Sequence, residues 1–177
     1  MLNDRAREAH SVQQYTARPG IEGVEIVDLR RFHDDGGSMT ELGRLADGAH
    51  AQLPGFVVRQ VNYSEMEPGA VKAFHLHQRQ TDVWFIPPAS KMLVVLGDCR
   101  KGSATEGNVQ RLVLGDGTSR LVRIPPGVAH GVRNLATVRG QIIYFVDVNF
   151  DPAPDRCDEG RLPWDFFGAE IWEVVKG

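Results

Sequence analysis

Cysteine is scarce in this chain of 177 residues: Cys99 and Cys157 are the two present, and they form no CxxC pair. A disulfide scaffold or a thiolate zinc site needs more cysteines at closer spacing, so the pair reads as two reduced thiols. Positive charge is not in excess either. Lysine and arginine number 20 against 23 aspartates and glutamates, which leaves a net charge of −3. A nucleic-acid binder normally carries a basic patch or stripe, and no such run occurs. No apolar stretch reaches the ~18 residues of a membrane span. Residues 1–20 mix charge with polarity and lack the apolar region of a secretory signal. These absences argue against nucleic-acid and membrane partners and place the chain in the cytoplasm by default.

What is there suits a single folded domain. Hydrophobic residues make up 42% and charged residues 24%, ordinary for a chain that buries a core of its own. The first 20 residues read as an arm or short helix closed by Pro19-Gly20, with helical periodicity over 1–15. From Ile21 to Gly177 the pattern is one of short β-type runs. They are Val24–Leu29, Phe56–Tyr63, Val71–His77, Val83–Ile86, Met92–Leu96, Val109–Leu114, Ser119–Ile124 and Gln141–Phe150. Between them stand turn signals such as Asp34-Asp35-Gly36-Gly37, Glu67-Pro68-Gly69 and Pro125-Pro126-Gly127. Many short strands with closely spaced turns predict an all-β sandwich or barrel. A second weak helical pattern covers 39–46.

Three of the six histidines carry a functional signal. Side chains alternate along a strand, so His75 and His77 share one face while Phe74 and Leu76 share the other. Such a strand has a packed side and a wet side. Gly69 precedes His75 in the pattern G-x5-H-x-H, and Pro125-x-Gly127-x2-His130-x3-Asn134 follows downstream. Together the two segments resemble the paired motifs of the cupin superfamily. That resemblance implies a jelly-roll barrel (a double-stranded β-helix) whose motifs meet in one pocket. In many cupins such histidines and a carboxylate hold a divalent metal. Here the usual glutamate of the first motif is missing and Asp82 is its nearest substitute, so the set would be His75, His77, Asp82 and His130. His10, His33 and His50 have no such context and read as surface residues.

A second resemblance spans roughly 21–172. Gln60-x-Asn62-x-Ser64, Lys72-Ala73-Phe74-His75, Asp98-x-Arg100-x-Gly102-Ser103-x-Thr105-x-Gly107, the run Ile124–Gly131 (IPPGVAHG) and Ile143-Tyr144 occur in one order. In that order they resemble the dTDP-4-dehydrorhamnose 3,5-epimerase family, cupins that work without a metal. The resemblance implies a homodimeric isomerase acting on a nucleotide sugar, as in the dTDP-rhamnose pathway. A 4-keto group acidifies the sugar's C3 and C5 protons. By resemblance His75 is the base, and a free imidazole, with a pKa near ~6.5, can accept a proton at pH 7. Tyr144 would be the acid on the opposite face, with Lys72 and His130 stabilising charge on the ketone oxygen. Gln60, Asn62, Arg100 and Glu41 match positions that bind the substrate, Glu41 across a dimer interface.

Several positions depart from the family pattern. Its C-terminal SxKD aspartate, which orients the histidine, has no counterpart here, leaving Asp82, Asp147 or Glu170 as substitutes. Asp82 itself stands where the family has a lysine, reversing a charge. Gly36 and Met39 replace an arginine and a phenylalanine, and Phe150 replaces a second tyrosine. Some residues also have plainer readings. Tyr144 in the run IIYFV suits a core, Arg100 with Asp98 suits a pinned turn, and Trp164–Phe167 with Trp172 suits a packed C-terminal segment. Two other functions therefore stand beside the isomerase: a metal-dependent cupin enzyme and a non-catalytic sugar-binding cupin.

Overall fold

The computed structural model describes residues 1–12 and 20–175. In the arm, helix α1 (Asp4–Ala9) is capped by Asn3, whose side chain accepts from the Ala6 amide at 2.9 Å, and none of its residues is buried. Residues 13–15 and the breaker Pro19 lie outside the described residues. The strands that follow are β1 (Glu25–Asp28), β2 (Arg31–Asp34), β3 (Gly37–Thr40), β4 (Leu45–Ala46), β5 (Ala49–His50), β6 (Gln60–Met66) and β7 (Val71–Leu76). They continue with β8 (Asp82–Phe85), β9 (Lys91–Asp98), β10 (Val109–Gly115), β11 (Arg120–Ile124), β12 (Val128–Asn134), β13 (Gly140–Val146) and β14 (Gly160–Arg161). A single 3-10 turn, Ala169–Trp172, closes the order.

Two five-stranded sheets form the body, with strand orders β1-β11-β8-β13-β6 and β10-β9-β12-β7-β14. Every pairing in them is antiparallel. The strand spacing predicts this all-β architecture, and the cupin resemblance implies its jelly-roll form. Alternation decides which side chain goes where. On β9, Met92, Val94 and Leu96 point into the cluster between the sheets, while Leu93 and Val95 point outward beneath Phe74, Phe167 and Trp172. On β8, Val83 and Phe85 pack outward under Leu53 and Phe56, which turns Asp82 and Trp84 inward. Each fully buried aliphatic contributes about 1.5–3 kcal/mol. Both sheets are therefore clamped from outside as well as inside.

Three sequence expectations change. The segment 39–46 is not helical: it ends the β2–β3 hairpin and enters the small β4–β5 ribbon, because tertiary pairing outweighs a weak periodic pattern. The residues after Pro126-Gly127, which the β-type runs of the sequence omit, form a central strand, β12, that pairs on both sides. His50, read as a surface residue, is buried under the first sheet. Its Nε2 lies 3.0 Å from the Leu42 carbonyl, and its ring meets Phe145 edge-on.

Candidate functional site

A cavity of about 910 Å3 opens between the two sheets, within the size range of small-molecule sites. Gln60, Asn62, Lys72, His75, His77, Asp82, His130 and Tyr144 all line it. Strand pairing brings the two histidine motifs together: His75 on β7 stands in register with His130 on β12, their rings stacked with centroids 5.9 Å apart. Tyr144 comes from β13 in the opposite sheet, in register with Trp84 and with Asn62. Base and acid candidates thus rise from facing walls of one cavity. Burial, then the Asp82 and Glu159 carboxylates, push the Tyr144 phenol up, which keeps it protonated at neutral pH.

The carboxylate partner of His75 is Glu159, which the sequence reading did not single out. Its Oε2 lies 3.5 Å from His75 Nδ1, and both side chains are about a third exposed or less. The adjacent imidazole holds Glu159 below the ordinary carboxylate range, against the opposing effect of burial. Apo contacts of this kind are often long and tighten on binding. Glu159 arrives because the two-residue strand β14 pairs with β7, Arg161 opposite His75. Gly160 makes that pairing possible: a Cβ there would sit 2.4 Å from the Leu76 carbonyl oxygen. Period-2 alternation aims Glu159 and Arg161 into the same cavity, and E-G-R was the one local hint available.

The three carboxylates expected as substitutes do other things. Asp147 accepts from the Thr81 amide at 2.7 Å, and Glu170 is exposed on the 3-10 turn. Asp82 lies deeper, 3.7 Å from His77 Nε2 and 3.5 Å from His130 Nε2. Gln80 Nε2 donates to one of its oxygens at 2.7 Å and Trp84 Nε1 to the other at 3.0 Å. Burial pushes the His130 imidazole well below the ordinary histidine range, further than Asp82 raises it, so the ring is neutral at pH 7. His130 Nδ1 lies 3.0 Å from the Val128 carbonyl oxygen, which can only accept, so the ring proton sits there. Its Nε2 therefore offers a lone pair, and by itself His130 cannot donate to a ketone oxygen as the sequence reading supposed.

Of the remaining residues, Lys72 Nζ donates to Ser64 Oγ at 3.3 Å and to the Glu65 carbonyl at 3.0 Å, within reach of the cavity. Gln60 Nε2 donates to Asn62 Oδ1 at 2.8 Å, and Gln60 Oε1 accepts from the Phe150 amide at 2.9 Å. Two expected substrate contacts fall outside. Arg100 does not line the cavity: its guanidinium wraps Asp98 at 2.8 Å and donates to the Glu22 carbonyl, pinning the turn after β9. Glu41 pairs with Arg44 at 3.0 Å and does not line this chain's cavity. The Trp172 indole, buried, donates to the Trp164 carbonyl within the packed C-terminal segment.

The chain is 38% identical over 145 residues to the spore coat polysaccharide biosynthesis protein SpsL of Bacillus subtilis, covering 82% of this chain and 91% of that one. It is 28% identical to the probable low-salt glycan biosynthesis epimerase Agl13 of Haloferax volcanii, covering 83% and 90% of the two chains. Among solved structures, a dTDP sugar isomerase from Desulfovibrio desulfuricans superposes with a TM-score of 0.71 at 27% identity, covering 88% of this chain and 91% of that one. The model of the dTDP-4-dehydrorhamnose 3,5-epimerase family matches residues 18–164. With the fold, the facing His75 and Tyr144 and this match in agreement, the chain belongs to the dTDP-4-dehydrorhamnose 3,5-epimerase family of sugar isomerases.

Proposed function

We propose that this protein epimerises a nucleotide-linked 4-keto-6-deoxy sugar at C3, C5 or both, by proton transfer between His75 and Tyr144. One observation carries the reading: a histidine backed by a carboxylate and a protonated phenol face each other across a single cavity. His75 takes the proton from the carbon next to the ketone, and the electron pair of that C–H bond moves to form an enolate. Glu159 holds the imidazole in orientation and stabilises the imidazolium formed. The Lys72 ammonium supplies positive charge for the enolate oxygen. Tyr144 then gives its proton to the opposite face of the same carbon, inverting it, and solvent restores both groups.

The nucleotide portion lies toward Gln60, Asn62 and Arg161, the last supplying the cation that a diphosphate asks for. A dTDP sugar of the rhamnose pathway is the first substrate to try. Agreement of the family match with two free, exposed thiols supports a cytoplasmic site of action. The test is incubation in D2O with dTDP-4-keto-6-deoxyglucose and other 4-keto nucleotide sugars. Deuterium should enter at C3 or C5. Absence of label from every 4-keto nucleotide sugar would remove the proposal.

A further inference from the structure

The connection from β13 to β14 is fastened at both ends to one turn, the stretch Gln78–Thr81 that follows β7. Each amide of that turn donates to a carboxylate of the connection. Thr81 donates to Asp147 Oδ1 at 2.7 Å. The other three converge on Asp158: Gln78 donates to Oδ1 at 3.1 Å, and Arg79 and Gln80 each donate to Oδ2 at 2.9 Å. Successive backbone N–H groups of this kind form a concavity that favours an anion. The Asp158 side chain is 9% exposed. Burial works against its charge, yet the three amides, with His77 beside them, hold the carboxyl below the ordinary range. Arg79, more than half exposed and 3.9 Å away, adds little by comparison.

Asp158 also touches the cavity's own groups through its backbone. Its carbonyl accepts from His77 Nδ1 at 2.6 Å, which fixes the ring proton there. His77 Nε2 is then free to accept from Gln80 Nε2 at 3.4 Å, and the same amide nitrogen donates to Asp82 Oδ1 at 2.7 Å. The next residue in the chain is Glu159, whose Oε2 lies 3.5 Å from His75 Nδ1. Glu159 is thus bracketed. On its C-terminal side β14 pairs with β7, and Leu162 exchanges both backbone bonds with Phe74 at 3.0 and 3.1 Å. On its N-terminal side the anchor is Asp158.

We propose that Asp158 is a positioning residue for the base: by clasping the turn at 78–80 it seats Glu159 on His75 Nδ1, which leaves His75 Nε2 to take the proton. The role rests on the epimerase reading of His75. A displacement of about 1 Å in such a group is enough to cost on the order of 100-fold in rate. Asp158→Ala removes all three side-chain acceptors. Asp158→Asn keeps one oxygen and turns an NH2 group toward amides that also donate, so it loosens the clasp with less loss of packing.

The experiment reads the His75 ring by nitrogen NMR of histidine-labelled, full-length protein at about pH 8, with no sugar present. The His75 signal is assigned by its loss in His75→Asn. In the wild type the ring proton should sit on Nδ1. In Asp158→Ala and Asp158→Asn a mixture of tautomers should appear while far-UV circular dichroism stays unchanged. Turnover should fall roughly 10- to 100-fold in kcat with KM little changed. On a Glu159→Gln background the further loss should be less than about threefold, because Asp158 acts through Glu159. A wild-type ring protonated on Nε2, which needs no variant to detect, would overturn the role. So would an unaltered tautomer in both folded variants, or an equal loss of kcat on the two backgrounds. The ring is read without substrate, so a chain that labels no 4-keto sugar defeats the epimerase reading by a different measurement.

Discussion

His75 works as a base only if its tautomer and orientation are held, and Glu159 is the group placed to hold them. Replacing Glu159 with Gln keeps the shape and removes the charge that stabilises the imidazolium. We expect kcat to fall on the order of 10²–10³-fold with KM little changed, measured by steady-state turnover of the substrate found in the deuterium experiment. A merely structural role for Glu159 would lower stability instead and leave the pH profile of the surviving activity where it was. The imidazole holds Glu159 below the ordinary carboxylate range, so the partnership persists in mild acid. Protonation of Glu159 should therefore not set the acid limb of the wild-type profile.

At the scale of elements, the turn leaving β9 shows how a motif can be structural. The Asp98 side chain is wholly buried and accepts from the Arg100 amide and guanidinium, Ser103 Oγ and Thr105 Oγ1. These donors, Arg100 first, hold its carboxyl well below the usual range. A carboxyl whose folded value is depressed adds stability that is fully present above about pH 5 and drains away as pH falls below about 4. Asp98→Asn should thus cost about 2–4 kcal/mol at pH 7. Urea denaturation at pH 7 and at pH 3 should show the gap to wild type shrinking in acid. A constant gap would mean that the carboxylate charge is not what holds the turn. The DxRxGSxT pattern is therefore explained by stability, and Arg100 does not need to touch a substrate.

The whole molecule carries an unpaired edge. Strand β6 ends its sheet with β13 as its one partner among the described residues, and Val61 and Tyr63 on it are more than half exposed. Exposed apolar edge strands invite pairing with another chain. The β2–β3 hairpin forms a separate two-stranded sheet with Phe32 and Met39 exposed. We expect a homodimer, read by light scattering as twice the 19.6 kDa of one chain. A stable 19.6-kDa species at micromolar concentration would count against it. Such a pairing is also the one way in which Glu41, remote from its own cavity, could serve a neighbouring one.

Local patterning settled the barrel and much of its lining. Alternation alone turns His75 and His77 to one side of β7 and buries Phe74 on the other, and turn residues between apolar runs mark every strand of the two main sheets except β12 and β14. The ordered motifs then put Gln60, Asn62, Lys72, His130 and Tyr144 around one cavity. What no local pattern contains is which distant side chains meet. Glu159 reaches His75 because a glycine allows a two-residue strand to close on β7, and Asp82 on β8 meets His77 and His130 because its sheet faces the one that holds β7 and β12. Periodicity encodes the face on which a side chain stands, whereas charge partners are chosen by contacts between segments remote along the chain. Those contacts exist only once the sheets have closed.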